Sequence, residues 1–331
     1  MRRTMSILFC VFTFVSLGVS VCVVFAKPPD TPKIVFGANR EGNREVYLMN
    51  IDGSEQINIT NHPADDIYGA WSPTGEQILF ASDRDRFLGS WDLYLMDSNG
   101  QNVRPVFGKS ADRSAPSWSP NGKQIAYRKR ENGQKFIYIA NIDGKNEERV
   151  AVGGTPAWSP DGTEIAFVVK TGAERWEIHI LNVRTRTQKA FFPPKGTPSW
   201  LRAPRWSPRG DKLAFSWLHR VPFADFRKTE TIYTVNRDGT GLTQIIDEAG
   251  PKVISPVWSP RGDTLLYAQD SEEVRRSLQI FKIVLGGEQP DQLTDIGIWN
   301  TPKDWFDPAY ALPVSPQPQL LTTTWGELKR E

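Results

Sequence analysis

Pro156-Ala157-Trp158-Ser159-Pro160-Asp161-Gly162, followed by Thr163-Glu164-Ile165-Ala166-Phe167, decides how this chain folds. Its kernel, Trp-Ser-Pro-x-Gly, also begins at Trp71, Trp118, Trp206 and Trp258. A worn sixth copy stands at Asp304-Trp305-Phe306-Asp307-Pro308. The intervals between the six tryptophans are 47, 40, 48, 52 and 47 residues, the differences of their sequence numbers. A repeat of that length is one supersecondary unit that cannot bury its apolar face alone and must stack on its neighbours.

The copies align as a four-part unit. A short segment ends in the motif, as in Ala115-Pro116-Ser117-Trp118, and Asn121-Gly122 turns the chain. The runs Gln124-Ile125-Ala126-Tyr127 and Phe136-Ile137-Tyr138-Ile139-Ala140 follow, then Asp143-Gly144 and Arg149-Val150-Ala151-Val152. Short runs rich in Ile, Val, Tyr and Phe, punctuated by Asp-Gly or Asn-Gly, read as strands joined by hairpins. Four antiparallel strands per unit, repeated around an axis, make an all-β propeller. No amphipathic helix of three turns is legible after residue 26. The tryptophans Trp71, Trp118, Trp158, Trp206, Trp258 and Trp305 then have an architectural role between blades, where burying an aromatic ring stabilises by a few kcal/mol. Ser caps the turn, Pro fixes φ and Gly takes a positive φ.

The first apolar run, Lys33-Ile34-Val35-Phe36, matches a second strand of the unit, and Lys303-Asp304-Trp305 is an orphan first strand. We therefore expect a six-bladed ring closed by the C-terminal strand pairing into the N-terminal blade. Closure removes open sheet edges, so a monomer is expected.

Residues 1–26 read as a signal peptide: Arg2 and Arg3, then an uncharged apolar run from Met5 to Phe25, then Ala26. An uncleaved anchor is the alternative, since about 20 apolar residues span a bilayer. Lipidation at Cys22 is disfavoured by the bulky Val19 and Val21 before it. Both cysteines, Cys10 and Cys22, lie in this segment, so residues 27–331 hold no disulfide. The propeller is assigned to 27–308 and a proline-rich tail to 309–331, expected to pack under the ring or to serve in docking. The net charge of +2 carries no footprint for nucleic acid. No membrane span is expected after signal removal, and the localisation read is periplasmic or secreted.

Residues 156–167 resemble the TolB-like β-propeller repeat, which is related to WD40-like repeats. Its pattern continues through a strand closed by Asp-Gly, as at Glu45–Gly53, and then Leu-Thr, as at Leu293-Thr294. The resemblance covers about residues 33–308 and implies the propeller fold. Its functional reach is wide, because the repeat occurs in the periplasmic TolB protein of the Tol-Pal system, in propellers of prolyl-oligopeptidase-like peptidases and in other exported proteins. Only Lys27 to Pro32 separates the expected signal from the first strand, so the α/β domain that precedes the TolB propeller is not expected here. Nor is a hydrolase domain, since there is no Gly-x-Ser-x-Gly elbow.

Chemistry is sparse. The histidines are His62, His179 and His219, with no His-Glu-x-x-His, and no metal or cofactor is expected. The acidic pairs Asp65-Asp66 and Asp83/Asp85 are the places where Ca²⁺ or acid–base chemistry would sit, although such residues usually serve turns. Innermost strands line a central channel, so residues just before each Trp are the binding candidates: Asp66, Tyr68, Arg113, Arg202, Arg205, Lys303 and Asp304. A plain polar channel is the competing reading. Two long connections between second and third strands carry aromatic and Arg residues, the types enriched at hot spots. Their candidates are Phe87 and Trp91 in one, and His219, Arg220, Phe223 and Phe226 in the other. The function expected is a non-catalytic scaffold binding a protein or peptide of the cell envelope. The alternative is a carbohydrate-binding or hydrolytic enzyme with its site at the channel mouth. Three or more carboxylates at one mouth would favour the enzyme; an Arg/aromatic rim would favour the binder.

Overall fold

The computed structural model describes residues 27–85, 90–173, 175–193, 200–218, 230–271 and 277–313. Strands β1 (Lys33–Asn39), β2 (Arg44–Asn50) and β3 (Ile57–Asn58) open the chain. Next come β4 (Asp66–Trp71), β5 (Gln77–Ser82), β6 (Asp92–Asp97) and β7 (Arg104–Pro105). They are followed by β8 (Asp112–Trp118), β9 (Gln124–Glu131), β10 (Gln134–Asn141) and β11 (Glu148–Val152). The fourth group is β12 (Gly154–Trp158), β13 (Glu164–Gly172), β14 (Arg175–Asn182) and β15 (Gln188–Phe192). The fifth is β16 (Trp200–Trp206), β17 (Lys212–Leu218), β18 (Glu230–Asn236) and β19 (Thr243–Gln244). The last is β20 (Val253–Trp258), β21 (Thr264–Asp270), β22 (Leu278–Val284) and β23 (Asp291–Gln292), after which β24 (Ile298–Phe306) returns to the start. One 3₁₀ turn, Pro308–Tyr310, is the helix among the described residues.

These strands form six four-stranded antiparallel sheets, the blades of a six-bladed propeller. The first blade has the order β24-β1-β2-β3, so the last described strand supplies its innermost position. The register there sets Lys33 against Phe306 and Ile34 against Trp305. That is the closure expected from the orphan motif.

Each hydrophobic cluster spans two neighbouring blades, because a single twisted sheet has two apolar faces to cover. Val35 and Val46 of the first blade pack with Trp71, Ile78 and Phe80 of the second. On the other side, Ile34 and Phe36 pack with Val257, Leu266 and Ile280 of the sixth. Successive residues of β1 therefore serve opposite blade interfaces, which is why second strands read as continuous apolar runs.

The motif turns are alike. Ser159 N–H donates to the Glu164 carbonyl and Gly162 N–H to the Ser159 carbonyl. Ser159 Oγ in turn accepts from Glu164 N–H at 2.9 Å. Gly75, Gly122, Gly162, Gly210 and Gly262 have φ of 74, 68, 74, 71 and 82°, the left-handed region that side chains with a Cβ disfavour. The blades are stitched at the same place: Trp118 Nε1 donates to the Ala70 carbonyl and Trp258 Nε1 to the Arg205 carbonyl, each at 3.1 Å.

The ends of the described chain lie on the face of these motif turns. Ser98 Oγ donates to the Lys27 carbonyl at 2.5 Å, and Leu312 N–H donates to the Pro73 carbonyl at 3.0 Å. Residues 1–26, and the tail beyond 313, lie outside the described residues. No described helix is long and apolar enough to cross a membrane.

Candidate functional site

One cavity runs along the propeller axis, and a second beside it shares two of its lining residues. A channel of about 380 Å³ is lined by motif residues of all six blades, chiefly the tryptophans and prolines. Three charged side chains reach it among the described residues: Arg205, Lys303 and Asp304. Above it, a chamber of about 480 Å³ opens among β1, β2, β4, β20, β22 and β24. Its wall includes Ile67, Ile254, Leu278 and Trp299, with Arg44 and Asn39 at its polar side. Tyr68 and Lys303 line both cavities and stand at their junction. The chamber sits where β1 ends and β2 begins, so it belongs to the face of the second-to-third strand connections. That face is opposite the motif turns, Lys27 and Leu312.

A repeated bulge decides which residues face the axis. The register with the second strand shifts just before the motif, between Ile67 and Ala70, Ser114 and Ser117, Arg202 and Arg205, and Ile254 and Val257. The third residue before the Trp takes a positive φ, 62° at Tyr68 and 60° at Ser255. In β24 the left-handed residue is instead Trp299, with φ 61°, a chamber-lining residue that is 53% exposed. The extra residue flips the alternation of the strand. The fifth residue before the Trp is consequently buried in all six blades: Asp66, Arg113, Gly153, Leu201, Val253 and Asn300.

This alternation separates the sequence candidates. Tyr68, Arg205, Lys303 and Asp304 line the channel. Asp66 and Arg113, expected at the mouth, turn into the ring wall instead. Arg84 Nη2 donates to Asp66 Oδ2 at 3.0 Å, and burial pushes that carboxyl up to about 6. Arg113 bridges Asp92 at 3.1 Å and Glu147 at 2.9 Å, with Phe107 against its guanidinium. Arg202 is exposed and 3.7 Å from Glu230, outside the residues lining either cavity. Trp91 lies under the Arg44 guanidinium at 5.3 Å. Phe87, His219, Arg220, Phe223 and Phe226 lie outside the described residues.

The acidic candidates act as local structural partners. Asp65 accepts from both the backbone and the guanidinium of Arg44. Asp83 accepts from Asp65 N–H, and Asp85 from the Tyr94 hydroxyl. Among the described residues no three His, Cys, Asp or Glu side chains gather as a metal site.

Charge in the channel is unevenly matched. Asp304 Oδ2 accepts from Trp71 N–H and Oδ1 from Trp305 N–H, each at 2.8 Å. Burial raises the Asp304 carboxyl, against those bonds and the pull of Arg205. Burial lowers Lys303 to about 7, helped by the nearby cations Arg205 and Arg44. The Lys303 ammonium lies 5.6 Å from the Tyr68 ring centroid. Its stem crosses Gly37, where a Cβ would stand 3.3 Å from Lys303 Cε, so a residue without a side chain gives it passage. Trp299, Ile254 and Leu278 were missed by sequence reasoning. The signal available was Trp299 itself, an aromatic residue six before the worn motif.

The fold recurs in solved structures. TolB from Acinetobacter baumannii superposes with a TM-score of 0.68 at 17% identity, covering 82% of this chain and 66% of that one. The chain thus spans 66% of that TolB's length. A putative TolB from Agrobacterium tumefaciens gives 0.64 at 19% identity, covering 83% and 94%. An oligogalacturonate lyase in complex with manganese gives 0.51 at 18% identity, covering 82% and 74%. At such identities the likeness is one of fold. No curated protein matches the sequence. The family model described as the TolB beta propeller domain matches residues 18–154, 86–197 and 137–309. With matches over most of its length, this chain belongs to the TolB β-propeller family.

Proposed function

We propose that this chain is an exported, non-catalytic propeller of the cell envelope, periplasmic or secreted, that binds a protein or peptide at the chamber mouth. The observation that carries this reading is the make-up of that mouth. Arg44, Lys303, Tyr68 and Trp299 line it, together with an apolar wall. Large apolar and aromatic groups with a few convergent polar ones are what ligand sites are made of. The one carboxylate among the described lining residues of either cavity is Asp304. Two-carboxylate chemistry of the glycosidase kind needs a partner for it, so the composition weighs toward binding. The signal peptide at 1–26 and a monomeric state belong to this proposal.

The test is site-specific photo-cross-linking in envelope extract. A cross-linker replaces Trp299 in one variant and the exposed Asn121 of a motif turn in another. A discrete adduct from position 299 and none from 121 is the expected result. Adducts from 121 alone, or from neither, would overturn the proposal.

A further inference from the structure

We propose that the chamber and the channel below it bind a carboxylate carried on an apolar body, with the carboxylate at Lys303 and the body against Trp299, Ile254, Ile67 and Leu278. The proposal names the ligand chemistry at the mouth described above and rests on that reading.

Charge balance comes first. Lys303 and Arg205 each line the channel, and neither side chain makes a hydrogen bond or ion pair with any described residue. Both are half-buried, and a partly desolvated cation gains from an anion that completes it. Asp304 is the only anion lining the channel among the described residues, and both its oxygens are occupied by backbone N–H groups. Two cations and one carboxylate leave one positive charge, which a monoanion matches and a dianion such as phosphate exceeds. Arg44 does not alter the sum, because Asp65 holds it at 2.8 Å.

Position comes second. Lys303 stands where the polar channel meets the apolar chamber, so a head group at its ammonium leaves the rest of the ligand facing hydrocarbon. The chamber volume of about 480 Å³ falls within the usual range of ligand sites. Trp299 keeps a left-handed backbone, an uncommon state for a bulky side chain, and is exposed where it lines this space. The groups facing Lys303 are Arg44 from β2, Arg205 from β16, Tyr68 from β4 and Asp304 from its own strand. With two cations near it and its pKa lowered to about 7, the ammonium gains most from a negative ligand below that pH.

Two sources offer this chemistry: a free aliphatic or aromatic acid, and the C-terminal carboxylate of a peptide ending in an apolar residue. Calorimetric titration of the full chain at pH 6 uses 3-phenylpropionate, its amide, a pentapeptide ending in Leu, and the same pentapeptide amidated. The expected result is binding of at least one free carboxylate and a loss of roughly tenfold or more on its amidation. A stronger peptide than acid assigns the source to a peptide terminus; the reverse assigns it to a small acid.

Lys303→Met should weaken binding by a similar factor, and Lys303→Arg should retain it while removing the decline expected above pH 7. Trp299→Ala, at an exposed position, should also weaken binding without loss of folding. The proposal is overturned by equal binding of acids and amides, by no binding of any probe, or by a Lys303→Met variant that binds as the parent does. A cross-link from position 299 that survives Lys303→Met would sink the carboxylate chemistry and leave the mouth as a binding surface. Loss of the cross-linked adduct in the parent chain would remove the reading beneath it.

Discussion

Asp304 Oδ2 accepts a hydrogen bond from Trp71 N–H at 2.8 Å, across the seam where β24 meets the second blade. The equivalent bond elsewhere runs from Trp158 N–H to Ser117 Oγ at 3.0 Å. At the seam the acceptor is a carboxylate, and hydrogen bonds to charged groups contribute more than neutral ones. Asp304→Ala should therefore destabilise by about 1.5–3 kcal/mol. Truncation before Ile298 should do far more, removing β24 and leaving β1 with an unpaired edge. Urea denaturation followed by far-ultraviolet circular dichroism checks both. A truncated chain that unfolds at the parent's midpoint would contradict closure by the C-terminal strand.

The motif glycines should not be equally sensitive. Alanine at any of them costs about 1–2 kcal/mol for the left-handed backbone. A Cβ at Gly262 would stand 3.4 Å from Pro208, ordinary contact, whereas one at Gly75 would stand 2.1 Å from the Phe306 ring. Gly75→Ala should exceed Gly262→Ala by roughly 1–3 kcal/mol, the usual range for overpacking. Thermal melts of the two variants side by side decide it. Equal losses would mean that Phe306 moves aside freely.

Arg113 should be a stability residue. Its guanidinium is held between Asp92 and Glu147, and Glu147 also accepts from Tyr127 and Lys129. Burial opposes the charge on Glu147, but the bonds from Arg113, Tyr127 and Lys129 hold its carboxyl down to about 2. Arg113→Met would leave the buried Asp92 without its partner, at a cost of about 3–5 kcal/mol. The sign with pH follows: a depressed carboxylate stabilises above its unfolded value, near 4.3, and that contribution disappears as pH falls toward about 2. The variant should show a flatter acid limb between those values when its urea midpoint is plotted against pH. An unchanged limb would show that Tyr127 and Lys129 suffice.

Lys303 should act in the opposite direction on stability. Its folded pKa lies at about 7, below the ordinary lysine value near 10.4, so the folded state holds fewer protons between the two. Stability should therefore rise as pH climbs from about 7 toward 10, by at most about 1.4 kcal/mol for each pH unit of that interval. Lys303→Met should stabilise the protein at pH 6 and lose that advantage by pH 10. A melting-temperature difference independent of pH would mean that the ammonium is not buried against Arg205 and Arg44.

The sequence alone determined the ring. Trp71, Trp118, Trp158, Trp206 and Trp258 recur at blade spacing, and the orphan Asp304-Trp305 told which strand closes it, because a second-strand start at Lys33 leaves one inner position empty. Period-two runs and turn residues are local signals, and here they agree with the global fold. The lining of the axis was legible only in part. Arg205, Lys303 and Asp304 were found by their nearness to a Trp, but Asp66 and Arg113 were misplaced by the same rule. One extra residue in each inner strand reverses the side-chain alternation, and the left-handed turn at Tyr68 or Ser255 has no Gly to announce it in the sequence. The chamber lay beyond sequence reasoning altogether. Trp299, Ile254, Leu278 and Ile67 come from three different blades, and only closure of the ring, which sets β24 beside β1 between β4 and β20, brings them to one mouth.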